Sequence, residues 1–220
     1  MPRPTPVLHR DDPAKDQLSG HVKVTRGDWL NAARLVLIAK GAGEVKVLDL
    51  ATQLGVSRSS FYGYFGSRAE LLDALLSDWE ARNTAPILHH CALPAATITG
   101  ALCNFFRCFV DDTIFDAHLD FAIREWSRRD ASVRARIDAA DTARLNAIKA
   151  MYGAHDYPPE EADIRARILY FMQIGYHALE LREDMTLRME RLPGFLEHFT
   201  GHRPTDAEVA EFRVFAMARA

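Results

Sequence analysis

The chain has 220 residues, 48% hydrophobic and 26% charged, which provides for a sizeable core and excludes a disordered chain. Its three cysteines show no Cys-x-x-Cys spacing and no apolar run approaches the roughly 18 residues of a membrane span, so a disulfide framework and a membrane-spanning segment are not expected. The net charge of −3 conceals a division: residues 1–68 hold ten Lys/Arg against six Asp/Glu, and residues 69–220 hold seventeen against twenty-four. A basic head on an acidic body suits contact with a polyanion at one end.

Residues 1–22 read as a flexible tail, because Pro2, Pro4, Pro6 and Pro13 oppose regular structure. Arg3 and Arg10 are expected to be solvated there rather than to form a minor-groove arm. Prolines and charges also stand where a signal peptide needs an apolar stretch, so a cytoplasmic location is expected. Thr25-Arg-Gly-Asp28 then opens a helix in capping-box fashion. Leu30, Ala33, Leu37 and Ile38 share one face of that helix, which ends near Lys40-Gly41.

Residues 46–65 read as two short helices joined by a tight turn. Leu50, Ala51 and Leu54 form an apolar face, and Gly55 ends the first helix where a left-handed residue is needed. Val56 plugs the turn and Ser57 is placed to cap the second helix. Phe61 and Phe65, four apart, face inward and leave Arg58, Ser59, Ser60, Tyr62 and Tyr64 outward. A helix this short cannot stand alone in water. Mounted on its neighbours, it presents donors and a cation to a DNA groove, as a helix-turn-helix does. Gly66-Ser67-Arg68 makes a second break and cap, after which a longer helix carries Leu71, Leu72, Leu75 and Leu76.

The composite Leu50-Ala51, Leu54-Gly55-Val56-Ser57, Phe61-Tyr62-Gly63-Tyr64-Phe65, Ser67-Arg68 and Leu71-Leu72 resembles the TetR family of bacterial transcription regulators, most closely over residues 24–80. The resemblance implies an all-α chain: a three-helix DNA-binding head over 23–82 and a helical effector-binding and dimerisation domain over 83–220. It implies a repressor that binds a palindromic double-stranded operator as a homodimer and is released by a small, largely apolar effector. Carried onto this sequence, the DNA-binding set is Lys46, Ser57, Arg58, Ser59, Ser60, Tyr62, Tyr64 and Arg68, with Arg68 on a phosphate. Two positions depart from the family pattern. Lys46 stands where a capping Thr is common, and Leu48 where a polar residue is common, so base reading is expected to rest on the second helix.

Beyond Arg82 the composition stays helical. Pro86 and Pro94 are expected to bracket a break around His89, His90 and Cys91. A helix over about 95–111 carries Ile98, Leu102, Phe105, Phe106 and Phe109. Another starts at Asp116, with Asp120–Arg124 and Glu125–Arg129 as i,i+4 pairs. An Ala- and Arg-rich helix covers about 131–152, and Pro158-Pro159 starts the next. Leu192-Pro193-Gly194 reads as a turn, and Thr205-x-x-Glu208 as the capping box of the last helix.

The segment 168–181 is apolar nearly all round and must be buried on more than one side. A two-fold interface is expected there, formed by Ile168, Phe171 and Gly175 with Val209, Phe212 and Phe215 of the last helix. Phe105, Phe109, His118, Phe121, Trp126, Tyr170, Gln173 and His177 are the candidate lining of an effector cavity. The rival readings are an all-α enzyme and a helix-turn-helix protein acting mainly through a protein partner. No Glu-x-x-His pair, zinc spacing, phosphate-cradling Gly loop or Ser nucleophile elbow occurs, so no metal or cofactor is expected.

Overall fold

The computed structural model describes residues 24–181 and 183–219. The tail expected over 1–22, with Arg3 and Arg10, lies outside the described residues. Every regular element among the described residues is helical.

The head begins at the capping box. Thr25 Oγ1 accepts from the Asp28 backbone N–H at 3.2 Å, and Asp28 Oδ2 accepts from the Thr25 N–H at 2.7 Å. These bonds start α1 (Arg26–Lys40), whose buried residues Trp29, Ala32, Ala33 and Leu37 recur at helical spacing. A short 3₁₀ turn, Ala42–Glu44, leads to α2 (Val47–Gln53) and α3 (Arg58–Phe61). Gly55, at φ +68°, makes the turn between them, where a Cβ would be strained. Then α4 (Arg68–Trp79) runs through one π-helical turn, Glu80–Thr84, into α5 (Ala85–Cys91).

The body is built from α6 (Ile98–Val110), α7 (Ala117–Ser127), α8 (Ala131–Gly153), α9 (Pro159–Ala178), α10 (Met185–Thr200) and α11 (Asp206–Met217). Side-chain caps from Thr97, Asp116, Asp130, Asp184 and Thr205 fix five of these starts. Two apolar cores result. The first unites α1–α4 with Leu119 and Ile123 of α7 and Val133, Ile137 and Ala140 of α8. The second fills the space among α5, α6, α8, α9, α10 and α11. Packing therefore does not divide at residue 82, since two body helices complete the core of the head.

Three expectations are corrected here. Pro86 does not open a break; it lies within the continuous helix, directly after the π-helical turn Glu80–Thr84, and the chain breaks after Cys91. Leu192-Pro193-Gly194 is not a turn but the middle of α10. Leu192, Leu196 and Phe199 are buried at i, i+4 and i+7, and that burial outweighs the roughly 3 kcal/mol penalty of an interior proline. Phe212 faces inward at 1% exposure, with Val209 and Phe215 half-buried beside it, because α11 turns this face onto the second core of its own chain. These three do not form an outer surface.

An outer surface exists instead on α9 and α10. Ile164, Ile168 and Phe171 are each more than half exposed, and with Gly175 they line one stripe of α9. Gly194 and Phe195 lie on the exposed side of the adjoining α10.

Candidate nucleic-acid interface and effector cavity

The four residues of α3 are held by aromatic packing rather than by a cap. The Trp29 ring meets Phe61 edge-on at 5.3 Å, and Phe61 stacks on Phe65 at 5.5 Å. This anchorage turns Arg58, Ser59 and Tyr62 to solvent, with Ser60 half-buried beside them. Arg58 donates to the Tyr62 hydroxyl at 3.2 Å, so a cation and a phenol sit together on the exposed face. Lys46 is exposed at the start of α2 and paired with Glu44 at 2.9 Å, while Leu48 is 62% exposed.

Three of the expected DNA-contacting side chains are committed elsewhere. The Ser57 hydroxyl bonds to the Ser59 hydroxyl at 2.8 Å and makes no bond to the backbone of α3. Tyr64 is half-buried, and its hydroxyl donates to the Val24 carbonyl at the entrance to α1. Arg68 donates from Nε to the Val45 carbonyl at 2.6 Å and from Nη2 to the Ala42 carbonyl at 2.5 Å. Its guanidinium closes the loop between α1 and α2, adding a second donor to the Ala42 carbonyl, which already accepts from the Val45 N–H at 3.3 Å. Tyr64 is a strut of the head, and Arg68 braces the loop while itself remaining exposed.

In the body, an apolar cleft partly open to solvent lies among α6, α9, α10 and α11. It is lined by Phe106, Phe109, Val110, Met172, Met189, Leu192, Phe195 and Phe212, with Gln173, Tyr176, Glu183 and Arg188 as polar groups. Apolar walls with few polar groups are the usual makeup of a small-molecule site. A wider cleft shares Phe109, Tyr176 and Arg188 with it and adds His118, Phe121 and His177. Burial and the neighbouring Arg188 charge lower the His177 pKa, so the ring is neutral near pH 7. Gln173 bonds to it at 2.8 Å.

Of the expected lining, the structure brings together Phe109, His118, Phe121, Gln173 and His177. Phe105 is wholly buried in the second core, and Trp126 packs against the first. Tyr170 belongs to an ionic cluster described below. Sequence reasoning missed Arg188, Met189 and Leu192 because the Pro193-Gly194 pair masked the helical period that places them on one face of α10.

A family profile described as bacterial regulatory proteins, tetR family, matches residues 30–75. The HTH-type transcriptional repressor KstR2 of Mycobacterium tuberculosis is 30% identical over 95 residues, which are 42% of this chain and 48% of the repressor. The chain thus spans about half the length of that relative. Among solved structures, Mycobacterium smegmatis AmtR superposes with a TM-score of 0.60 at 19% identity, over 91% of this chain and 97% of AmtR. The fatty acid degradation regulator FadR of Bacillus halodurans gives a TM-score of 0.59 at 15% identity, over 80% and 94% of the two chains. Residues 30–75 thus carry a tetR-type regulatory segment, and the likeness to the solved structures extends that to the fold of the rest of the chain.

The head is tied to the body by buried charge. Asp120, with no exposed surface, accepts from Trp79 Nε1 at 2.8 Å, Arg144 Nη2 at 3.0 Å and Arg124 Nε at 2.8 Å. Burial opposes its ionisation, but the two guanidinium charges and their hydrogen bonds prevail and lower its pKa. Arg144, also without exposed surface, reaches Thr84 Oγ1 at 3.1 Å and the Tyr170 hydroxyl at 3.1 Å. Burial pushes the Tyr170 pKa up to about 12, so its O–H is retained and donates to Asp141 at 2.6 Å. Arg124 grips the same Asp141 with both terminal nitrogens, at 2.9 and 2.7 Å. Two cations and two anions balance, and they join α4 and its π turn to α7, α8 and α9. Nearer the surface, Arg136 of α8 bonds to Asp73 and Glu80 on the same continuous helix, each at 2.7 Å.

Proposed function

We propose that this chain is a DNA-binding transcription regulator of the repressor type, which acts as a two-fold dimer and is released from its operator by a small molecule. The observation that carries this reading is the exposed group Arg58, Ser59, Ser60 and Tyr62, on a helix immobilised from beneath by Trp29, Phe61 and Phe65. Arg and Ser side chains offer donors to base edges and phosphates, and the position at the end of a basic head favours a polyanion. The resemblance to a named transcriptional repressor supports the direction of control.

The stripe Ile164, Ile168, Phe171 and Gly175, with Phe195 of α10, supplies the apolar surface for the partner chain. Such a patch on α9 and α10 suits a four-helix contact in which the same surface serves both subunits. A dimer also sets two reading helices at a fixed spacing, as a palindromic site requires. A ligand that favours one arrangement of α6, α9 and α10 acts on the head through Arg144 and Arg136, which hold the helix running from Arg68 to Cys91.

The test combines sedimentation with a gel-shift assay on the DNA upstream of the chain's own coding sequence. The native chain should sediment as a dimer and retard that DNA in a saturable, sequence-specific way. Phe171→Glu should sediment as a monomer and lose most of its affinity. A native monomer, or a Phe171→Glu variant that stays dimeric and binds as before, contradicts the proposed assembly.

A further inference from the structure

The chemistry of the ligand is narrowed by the charges around this cavity. Its walls are aromatic and Met side chains, and Met172 and Met189 adapt readily to irregular apolar shapes. The polar end holds one carboxylate and one guanidinium. Glu183 is already engaged: Tyr176 donates to Oε2 at 3.1 Å and Arg191 pairs with Oε1. Arg188 is not. Its guanidinium lies 5.5 Å from the centroid of the Tyr176 ring, and no carboxylate of the described residues comes within 4.0 Å of it. Asp112 and Glu180 line the adjoining cleft without pairing with it.

We infer that the cavity takes an amphipathic monocarboxylate, with its hydrocarbon part between Phe106, Phe109, Met172 and Leu192 and its carboxylate on Arg188. A ligand that fills this space strips water from Arg188, and a desolvated guanidinium without a partner is costly. A neutral ligand leaves that cost standing, and a cation adds repulsion. A planar carboxylate removes it by accepting two parallel N–H bonds. A dianionic head group meets Glu183, Asp112 and Glu180 nearby, so a single negative charge fits better. The inference rests on the reading of the body as an effector domain.

Isothermal titration of the full chain with decanoate and with 1-decanol tests it, on the native protein and on Arg188→Gln. Transfer from water alone favours the alcohol, since the carboxylate is the more costly group to desolvate. The native chain should nevertheless bind decanoate at least about tenfold more tightly, a difference of about 1.4 kcal/mol. Arg188→Gln should lose that preference and still bind 1-decanol, which shows that its cavity is intact. Equal or better binding of 1-decanol by the native chain overturns the carboxylate assignment and leaves the cavity a ligand site. An undiminished preference in Arg188→Gln does the same. Binding of neither compound to the native chain overturns the effector reading together with this inference.

Discussion

The first core closes around Trp29, Phe61 and Phe65 with ring centroids 5.3 and 5.5 Å apart, whereas the second leaves a cleft partly open to solvent among Phe106, Phe109 and Phe212. Both draw on the same residue types. What differs is the use of their polar side chains. In the head, Tyr64 and Arg68 reach inward to backbone carbonyls and stiffen the reading unit. At the junction, Asp120, Arg124, Asp141, Arg144 and Tyr170 satisfy one another in a closed, charge-balanced group. In the body a guanidinium, Arg188, lines an apolar cleft without a carboxylate partner among the described residues. A polar residue in an apolar stripe is thus a candidate ligand group here only where its neighbours leave its charge unanswered.

The largest effect that probes this contrast is expected at the junction. Asp120→Ala leaves Arg144 buried without its main counter-charge and should cost about 3–5 kcal/mol in urea denaturation. Loss of less than about 1 kcal/mol would show that the cluster is solvated rather than structural. A smaller loss, about 1–2 kcal/mol, is expected for Arg68→Met, which removes two hydrogen bonds to a loop with access to water. An unchanged urea midpoint there would remove Arg68 from the struts of the head.

The mildest effect is a pH dependence. His177 binds its proton less readily folded than unfolded, because burial and Arg188 disfavour the charged ring. Its contribution is therefore complete above the ordinary histidine value of about 6.5 and is lost as pH falls through the lower folded value. Thermal melts of the native chain from pH 7 to pH 5 should decline more steeply than those of His177→Gln. Parallel declines would mean that His177 is solvated and titrates alike in both states.

Much of the head was legible because its signals are local. Thr25 and Asp28 announce a helix start three residues apart, and Gly41 and Gly55 mark positions that take positive φ. The commitments of Tyr64 and Arg68 were not legible, since their acceptors lie 40 and 23–26 residues away in sequence. The body shows the same limit. The Asp120–Arg124 pair follows from i,i+4 spacing, but nothing local signals that Arg144 completes it. Pro193-Gly194 was misleading for a further reason: tertiary burial of Leu192 and Leu196 carries α10 through a pair that would end an isolated helix. With α10 broken in the sequence reading, the last helix took its place in the expected interface.

The central claim is that the head reads DNA with Arg58 while Arg68 only supports it. Fluorescence anisotropy on DNA upstream of the chain's own coding sequence, across a range of salt concentrations, tests this most directly. Arg58→Ala should lower the slope of log affinity against log salt by about 1, the signature of one lost phosphate contact, while Arg68→Met leaves the slope unchanged. An unchanged slope in Arg58→Ala, or a reduced one in Arg68→Met, would contradict the account.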